Sequence, residues 1–266
     1  LGSQWDLLWP QIDAECRRKK AAFLKIEPDG WAGEDESLAD WFGSPYFRAS
    51  SHKVQPARTM VVNLDGTEDE ILSRMKQKTR YNIRLANRKG IVVRSAREGS
   101  NDVDRFYELM QLTGERDTFG IHTLGYYQKA YEMFVPDGLG ELFLAEYDHM
   151  LLAGLMVFAF GSRAWYLFGA SSNQHRNLMA PYALQWESMR WARDKGCREY
   201  DLWGVPDEDI ETLEADFMQR SEGLWGVYRF KRGFGGEIKR SVGTWDRVYS
   251  PILYYFYRLW VKKTQT

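Results

Sequence analysis

The sequence predicts an α+β (mixed α/β) fold, an antiparallel meander with helices packed against it. Two observations predict it. Residues 141–170 hold three apolar, strand-like runs, "ELFLAEY", "LLAGLMVFAF" and "RAWYLFGA", separated only by "DHM" and "GS" turns, which suit hairpins. After them, "APYALQWESMRWARDKG" has the three-and-four apolar spacing of an amphipathic helix and is closed by Gly196.

The other elements follow in chain order. Between Trp5 and Lys20, Leu8, Ile12 and Cys16 recur at four, and the "RRKK" tail suits a helix C-terminus. "AAFLKIEP" reads as a short buried strand ended by Pro28. Residues 29–56, rich in Gly, Ser, Asp and Pro, read as mostly loop with a short helical patch around "SLADWF". The chain thus enters on a helix and a strand without an opening element, which predicts a truncated first domain. "ARTMVVNL" (57–64) is a β-branched, apolar strand. A domain boundary is expected near Asp65, after which Thr67 and Glu70 have the capping-box spacing and start a helix over 68–89 that Gly90 ends.

"IVVRSA" follows as a strand, with helices over 102–115 and 124–134. Beyond the meander and its helix come the strand "CREYDLWGV", a helix over "EGLWGVYRFKRGF", a last strand in "GEIKRSVGTW" and an aromatic helix beginning near Pro251. The order of elements over 57–243 matches an acyltransferase layout of the GNAT type. Fold alone does not give chemistry.

Composition narrows the classes. The 266 residues suit one large domain or two modest ones. Lys and Arg number 36 against 37 Asp and Glu, so affinity for nucleic acid requires a local basic patch. Cys16 and Cys197 are the only cysteines and neither lies in a C-x-x-C, which points to a reducing, cytoplasmic compartment. The histidines are scattered without metal-ligand spacing, so no metal is expected. No apolar run reaches the roughly 18 residues of a membrane span, and signal-peptide grammar is missing. With 11 tryptophans, some rings are expected to line a groove.

A GNAT-type core suggests acetyl-CoA, whose pyrophosphate needs a glycine-rich loop at a helix N-terminus. The loop in that place reads "SSNQHRNLMA" and has no glycine, which disfavours coenzyme A. No G-x-S-x-G elbow is present, Cys197 reads as core, and no carboxylate pair is singled out. In "KQKTRYNIRLANRKG" (76–90), Arg80, Arg84 and Arg88 recur at four, so a helix would stack three guanidinium groups towards phosphate or RNA, or towards solvent alone. "YRFKRGFGGE" (228–237) mixes cations, aromatics and glycines and reads as a phosphate cradle, a stacking strip or a helix end.

Together these residues resemble the FemABX peptidyltransferases. The resemblance is carried, in order, by "FLKIEPD", "KTRYNIRLANRKGIVV", "YELMQLTGERDTFGIH", "WYLFGASS", "LMAPYALQWESMRWARDKGCREYDLWGVP" and "GLWGVYRFKRGFGGE". It implies tandem GNAT-like domains: a first one over 1–64, incomplete at its N-terminus and completed by the C-terminal segment 241–266, and a second over 65–240. It further implies transfer of an amino acid from aminoacyl-tRNA to the stem-peptide amine of a peptidoglycan precursor, UDP-MurNAc-pentapeptide or lipid II, in cell-wall bridge formation. No metal or organic cofactor is implied, and a lipid-linked acceptor would add peripheral membrane contact. Because family members usually open with a further strand-and-helix portion of the first domain, the resemblance implies that this portion is missing ahead of Leu1, and the activity of the chain is expected to depend on it.

Residue by residue, the resemblance assigns Lys231 to the reacting ester, where it would stabilise developing charge, against the alternative of a solvated helix lysine. Glu27 matches an acidic position discussed as a proton acceptor, against the alternative of a surface turn. Arg116 matches an arginine that holds the acceptor, with a structural salt bridge as the alternative. Tyr166 and Phe168 match aromatic positions of a "Y-x-Y-G-A-S" strand, the second being Phe where a Tyr hydroxyl is common. Phe230 could stack on the terminal adenosine of tRNA or fill the core. Arg229 and Arg232, with Arg80, Arg84 and Arg88, are the phosphate candidates. A rival reading on the same scaffold is an acyl-CoA- or acyl-carrier-dependent N-acyltransferase of cell-envelope or exopolysaccharide modification, and another is a non-catalytic RNA- or wall-precursor-binding module.

Overall fold

A computed structural model describes residues 2–35, Leu38, Trp41, Phe42 and 45–264. The chain divides into two compact units, Arg58–Ile238 and a smaller one built from both ends, Leu1–Ala57 with Lys239–Thr266. The chain opens with α1 (Gly2–Arg18), β1 (Phe23–Ile26) and the two-residue β2 (Arg48–Ala49). The helical patch expected around "SLADWF" lies largely outside the described residues.

The larger unit begins with β3 (Arg58–Asn63), so the strand expected before a boundary at Asp65 belongs to this unit, because it pairs with β8 (Glu199–Val205) in its interior. Next come α2 (Glu68–Arg74) and α3 (Gln77–Arg88). The predicted capping box forms: Thr67 accepts from the Glu70 amide and Glu70 reaches back to Thr67. The single helix expected over 68–89 is broken, however, with Met75 and Lys76 extended. The cause is the 233–235 segment. Gly233 accepts from the Lys76 amide at 2.9 Å, and a Cβ on Gly235, whose φ is +75°, would overlap the Arg74 carbonyl.

β4 (Val92–Ser95), α4 (Asp102–Asp117) and α5 (Leu124–Phe134) lead into the predicted meander, β5 (Gly140–Tyr147), β6 (Met150–Phe160) and β7 (Arg163–Ser171). Its first turn is two residues, Asp148 and His149, both left-handed as a twist-matched hairpin requires. Then follow α6 (Ala180–Asp194), β8, α7 (Ile210–Asp216), α8 (Leu224–Lys231) and β9 (Glu237–Arg240). Sequence periodicity missed α7; the Asp209 carboxylate starts it by accepting from the Thr212 amide at 2.8 Å.

The sheet order is β4-β5-β6-β7-β8-β3-β9, antiparallel from β4 to β7, parallel between β7 and β8, and antiparallel again between β8 and β3. Both faces are covered, which is why the meander strands are near-continuous apolar runs. On one face Phe143, Ala145 and Val157 pack with residues of α2, α3, α6 and α8; on the other Leu142, Leu144 and Met156 pack with Phe106 and Leu109 of α4 and Tyr127 of α5.

The "last strand" expected in "GEIKRSVGTW" is two strands, because Gly243 at φ +112° turns the chain between β9 and β10 (Trp245–Val248). β10 lies between β1 and β2 in the smaller unit's antiparallel sheet. The C-terminal α9 (Pro251–Thr264) packs on it, with Tyr254 and Tyr257 rings 5.3 and 4.4 Å from Phe23. Asp246 ties the layers by accepting from Lys25 at 2.8 Å and from the Tyr254 hydroxyl at 2.9 Å. Among the described residues no helix is long and apolar enough to cross a membrane, and no His/Cys/Asp/Glu group could hold a metal ion.

Candidate active site

The parallel strands β7 and β8 pair only at Arg163↔Glu199, Ala164↔Tyr200 and Trp165↔Asp201, and then each continues without the other. Two bulges shape this opening. On β8, Leu202 and Trp203 stand opposite the single residue Met60 of β3, between the pairs Thr59↔Gly204 and Val61↔Asp201. On β7, Leu167 is the extra residue between Tyr166, opposite Val157, and Phe168, opposite Met156.

Lys231, in the last turn of α8, is only 5% exposed and donates from Nζ to the Gly204 carbonyl at 2.7 Å. An ammonium carries three donors, so this bond leaves two for another ligand. Burial lowers Lys231 to about 7, against the charge of Asp201, which favours the ammonium form. Asp201 is 1% exposed, and burial pushes it up to about 6. Its Oδ1 accepts from the Thr59 hydroxyl and, at 2.7 Å, from the Trp203 amide. Trp203 has φ +67°, a left-handed conformation that costs a non-glycine residue about 1–2 kcal/mol.

Tyr166 shares this face of the sheet. Burial pushes its hydroxyl up to about 12, against a hydrogen bond with Gln185 that acts the other way, and its ring folds along the strand over Gly169, where a Cβ would overlap it. Gln185 also accepts from the Tyr200 hydroxyl at 3.0 Å, and Tyr200 meets Ser188 at 2.7 Å, so a buried polar line backs the tyrosine.

The other residues singled out in the sequence are dispersed. The β7 bulge turns Phe168 to the opposite face from Tyr166, where it meets Tyr127, His122 and Tyr126 edge-on. Strict alternation along β7 would place the two rings on one face; the extra Leu167 separates them. Arg116 holds the end of β7, donating to the Ser171 carbonyl at 2.9 Å and Asn173 at 3.0 Å, with Asp117 on its fork at 2.8 and 2.9 Å.

In the 228–237 stretch, Phe230 and Phe234 pack with Tyr182 at 5.0 and 5.9 Å, which makes Phe230 part of the core's edge. Arg232 is bound bidentately by Glu214, which also accepts from Tyr228, and its guanidinium lies 3.7 Å from the Phe217 ring centre. Arg229 is exposed. The glycines are close-approach residues rather than a phosphate cradle: a Cβ on Gly233 would overlap the Thr79 hydroxyl, and one on Gly236 would come 2.7 Å from Met60.

On α3, Arg80 caps the end of α2 by donating to the Met75 carbonyl at 2.5 Å, whereas Arg84 and Arg88 are exposed, the latter 5.9 Å from the Tyr81 ring. Glu27 belongs to the smaller unit, where its carboxylate accepts from the Val54 and Gln55 amides at 2.8 and 2.9 Å and from Thr244 at 2.7 Å. The loop 171–180 takes left-handed steps at His175 and Met179 and holds no glycine for a pyrophosphate.

Sequence reading missed Asp201, Trp203 and Gln185. The signal was an acid inside the apolar strand "YDLWGV": a carboxylate buried there must be bound by something.

Comparison with known proteins agrees with this architecture. The sequence profile of the FemAB family matches residues 39–150 and 139–262. The chain belongs to the FemAB family. Among FemAB relatives, the lipid II:glycine glycyltransferase of Staphylococcus haemolyticus (strain JCSC1435) is 26% identical over 314 residues, covering 90% of this chain and 71% of the relative. The protein of that name from Staphylococcus aureus (strain USA300) is 26% identical over 316 residues, covering 90% and 72%. The crystal structure of FemX superposes with a TM-score of 0.80 at 22% identity over 95% of this chain and 78% of its own. L-PGS from Bacillus licheniformis superposes with a TM-score of 0.51 at 11% identity, covering 84% of this chain and 66% of its own. The α+β acyltransferase layout expected from the sequence is thus the fold of FemX.

Proposed function

We propose that this FemAB-family acyltransferase moves an aminoacyl group from aminoacyl-tRNA to the stem-peptide amine of a peptidoglycan precursor during interpeptide bridge formation. The names of the staphylococcal relatives favour glycine as the amino acid and lipid II over UDP-MurNAc-pentapeptide as the acceptor. The observation that carries the reading is Lys231, a buried amine with spare donors at the point where β7 and β8 part.

An aminoacyl ester is already activated, so no nucleophilic side chain is required. The acceptor amine attacks the ester carbonyl carbon, and the carbonyl oxygen takes negative charge that the Lys231 ammonium meets. The bond to the tRNA ribose oxygen then breaks; that oxygen leaves as a hydroxyl, taking up a proton, and the attacking nitrogen gives one up. Removing one donor to such an oxyanion costs about 10²–10³ in rate, and alignment of the two substrates supplies much of the remainder. Tyr166, braced by Gln185, lines the acceptor side, and Arg116 anchors an anionic acceptor by exchanging its exposed partner Asp117 for phosphate. Phe168 and Phe230 shape the site from behind through packing, while Arg84, Arg88 and Arg229 are the exposed cations for the tRNA backbone. Arg80 and Arg232 support these elements.

Labelled glycyl-tRNA offered with each acceptor form tests this directly. Transfer to lipid II that drops a hundredfold in Lys231→Ala supports it. Transfer from acyl-CoA instead, tRNA binding without transfer, or an alanine variant as active as the parent overturns it.

A further inference from the structure

Asp201 and Trp203 are two departures from ordinary strand chemistry that lie two residues apart. Asp201 buries a carboxylate in an apolar strand, where a hydrophobic residue of similar size would ordinarily be the more stable choice. Trp203 holds a left-handed backbone that glycine would adopt without strain. They are joined by one hydrogen bond, Trp203 amide to Asp201 Oδ1 at 2.7 Å, and the residue after Trp203 is Gly204, whose carbonyl receives Lys231 at 2.7 Å. Backbone strain of this kind persists only where the surroundings over-determine it, and it gathers at functional sites.

We propose that Asp201 is a positioning residue with two tasks: its carboxylate pins the Trp203 amide, so holding the β8 bulge that presents the Gly204 carbonyl to Lys231, and it sets a negative charge against the lysine ammonium. The assignment rests on Lys231 being the charge stabiliser of the transfer. Asp201 is itself held from the neighbouring strand by the Thr59 hydroxyl, so its orientation is fixed from β3 as well as from β8. The charged groups facing it are Lys231 from α8 and Arg163 from β7, the latter committed to Glu199 at 2.6 Å. Facing Lys231, Asp201 is the charge that favours the ammonium. The same carboxylate therefore sets both the geometry and the protonation of the lysine.

Asp201→Asn retains Oδ1 as an acceptor and removes the charge, whereas Asp201→Ala removes both. The Lys231 resonance of carbon-13-lysine-labelled protein, assigned by its loss in Lys231→Ala, reports the titration without any substrate. In Asp201→Asn the midpoint is expected to move to lower pH, and the limb of the transfer rate that follows lysine protonation should move with it. In Asp201→Ala, kcat is expected to fall at least tenfold at unchanged KM. An unmoved Lys231 midpoint in Asp201→Asn overturns the proposal even if Asp201→Ala fails to fold. So does an Asp201→Ala variant that matches the parent in kcat or loses only KM. A fully active Lys231→Ala protein sinks the reading of Lys231 itself, an outcome that the substrate-free titration keeps separate.

Discussion

The Tyr166 ring lies along its own strand over the Cα of Gly169, where any side chain would occupy the same space. The β7 bulge at Leu167 brings the two together, and glycine at 169 is what lets the tyrosine reach Gln185. Gly169→Ala is therefore expected to destabilise the protein by about 1–3 kcal/mol through overpacking. In a Tyr166→Ala background the same Gly169→Ala change should cost far less, because the clash needs both side chains. Denaturant midpoints of the two single variants and the double variant measure the coupling; additive losses would show that the ring is not what the methyl meets.

Burial of Lys231 has opposite consequences for stability and for activity. Its amine titrates at about 7 in the fold and well above that in the unfolded chain, so between these values the unfolded chain binds more protons. Stability from this group therefore rises with pH across that window, and the penalty is full below about 7. Lys231→Met is expected to be more stable than the parent at pH 6, with the advantage fading towards pH 10, while transfer is lost. In the parent, transfer should fall as pH rises through about 7 and the ammonium disappears. Melting temperatures of both proteins across pH check the first claim and the rate profile checks the second.

The meander and the helices around it were legible because each carries a local signal: two-residue turns, the Thr67 and Glu70 cap, glycine stops at 90 and 196. The break at Met75 was not, because its cause is the 233–235 segment, more than 150 residues along the chain. The same holds for the site. Lys231 was visible through its flanking pattern, but its partner is a backbone carbonyl, and a carbonyl has no letter in the sequence. Tyr166 and Phe168 look like one face under period two, and a single bulge residue parts them. Arg232 reads as a phosphate ligand until Glu214, eighteen positions earlier, is seen on its fork.

That arginine pair makes an acid-stability prediction. Arg232 first, and then Tyr228, hold the Glu214 carboxyl down at about 2, below its ordinary range. A carboxylate depressed in the fold stabilises above its unfolded value, and that contribution drains away as pH falls towards about 2. Glu214→Gln should lower the melting temperature at pH 7 and lie closer to the parent at pH 3. A gap that stays constant with pH would mean that the ion pair contributes nothing to acid sensitivity.

Glu27 can be separated from the chemistry by its hydrogen bonds. Its two oxygens take two backbone amides and the Thr244 hydroxyl, a set of donors that glutamine, with a single oxygen, cannot fully accept. Glu27→Gln is expected to cost about 1–3 kcal/mol of stability. If Glu27 only staples the 52–56 loop, kcat at a temperature well below the melt stays near the parent value. A large loss of kcat in a protein that remains folded would instead restore it as the proton acceptor.

The basic residues of α3 divide by what they already hold, and this gives the test of nucleic-acid binding. Arg80 is committed to carbonyls at the end of α2, and Arg232 to Glu214, while Arg84 and Arg88 project into solvent. Only an uncommitted cation can release counterions from a phosphate backbone. Each such contact contributes roughly 0.7–0.9 to the slope of log affinity against log salt. Arg84→Ala and Arg88→Ala should thus each flatten that slope by somewhat under one for tRNA and leave the melting temperature within about a degree. Arg80→Ala and Arg232→Ala should do the reverse, lowering the melt and sparing the slope. If the slope is instead insensitive to Arg84 and Arg88, the exposed α3 face is merely solvated and takes no part in binding nucleic acid.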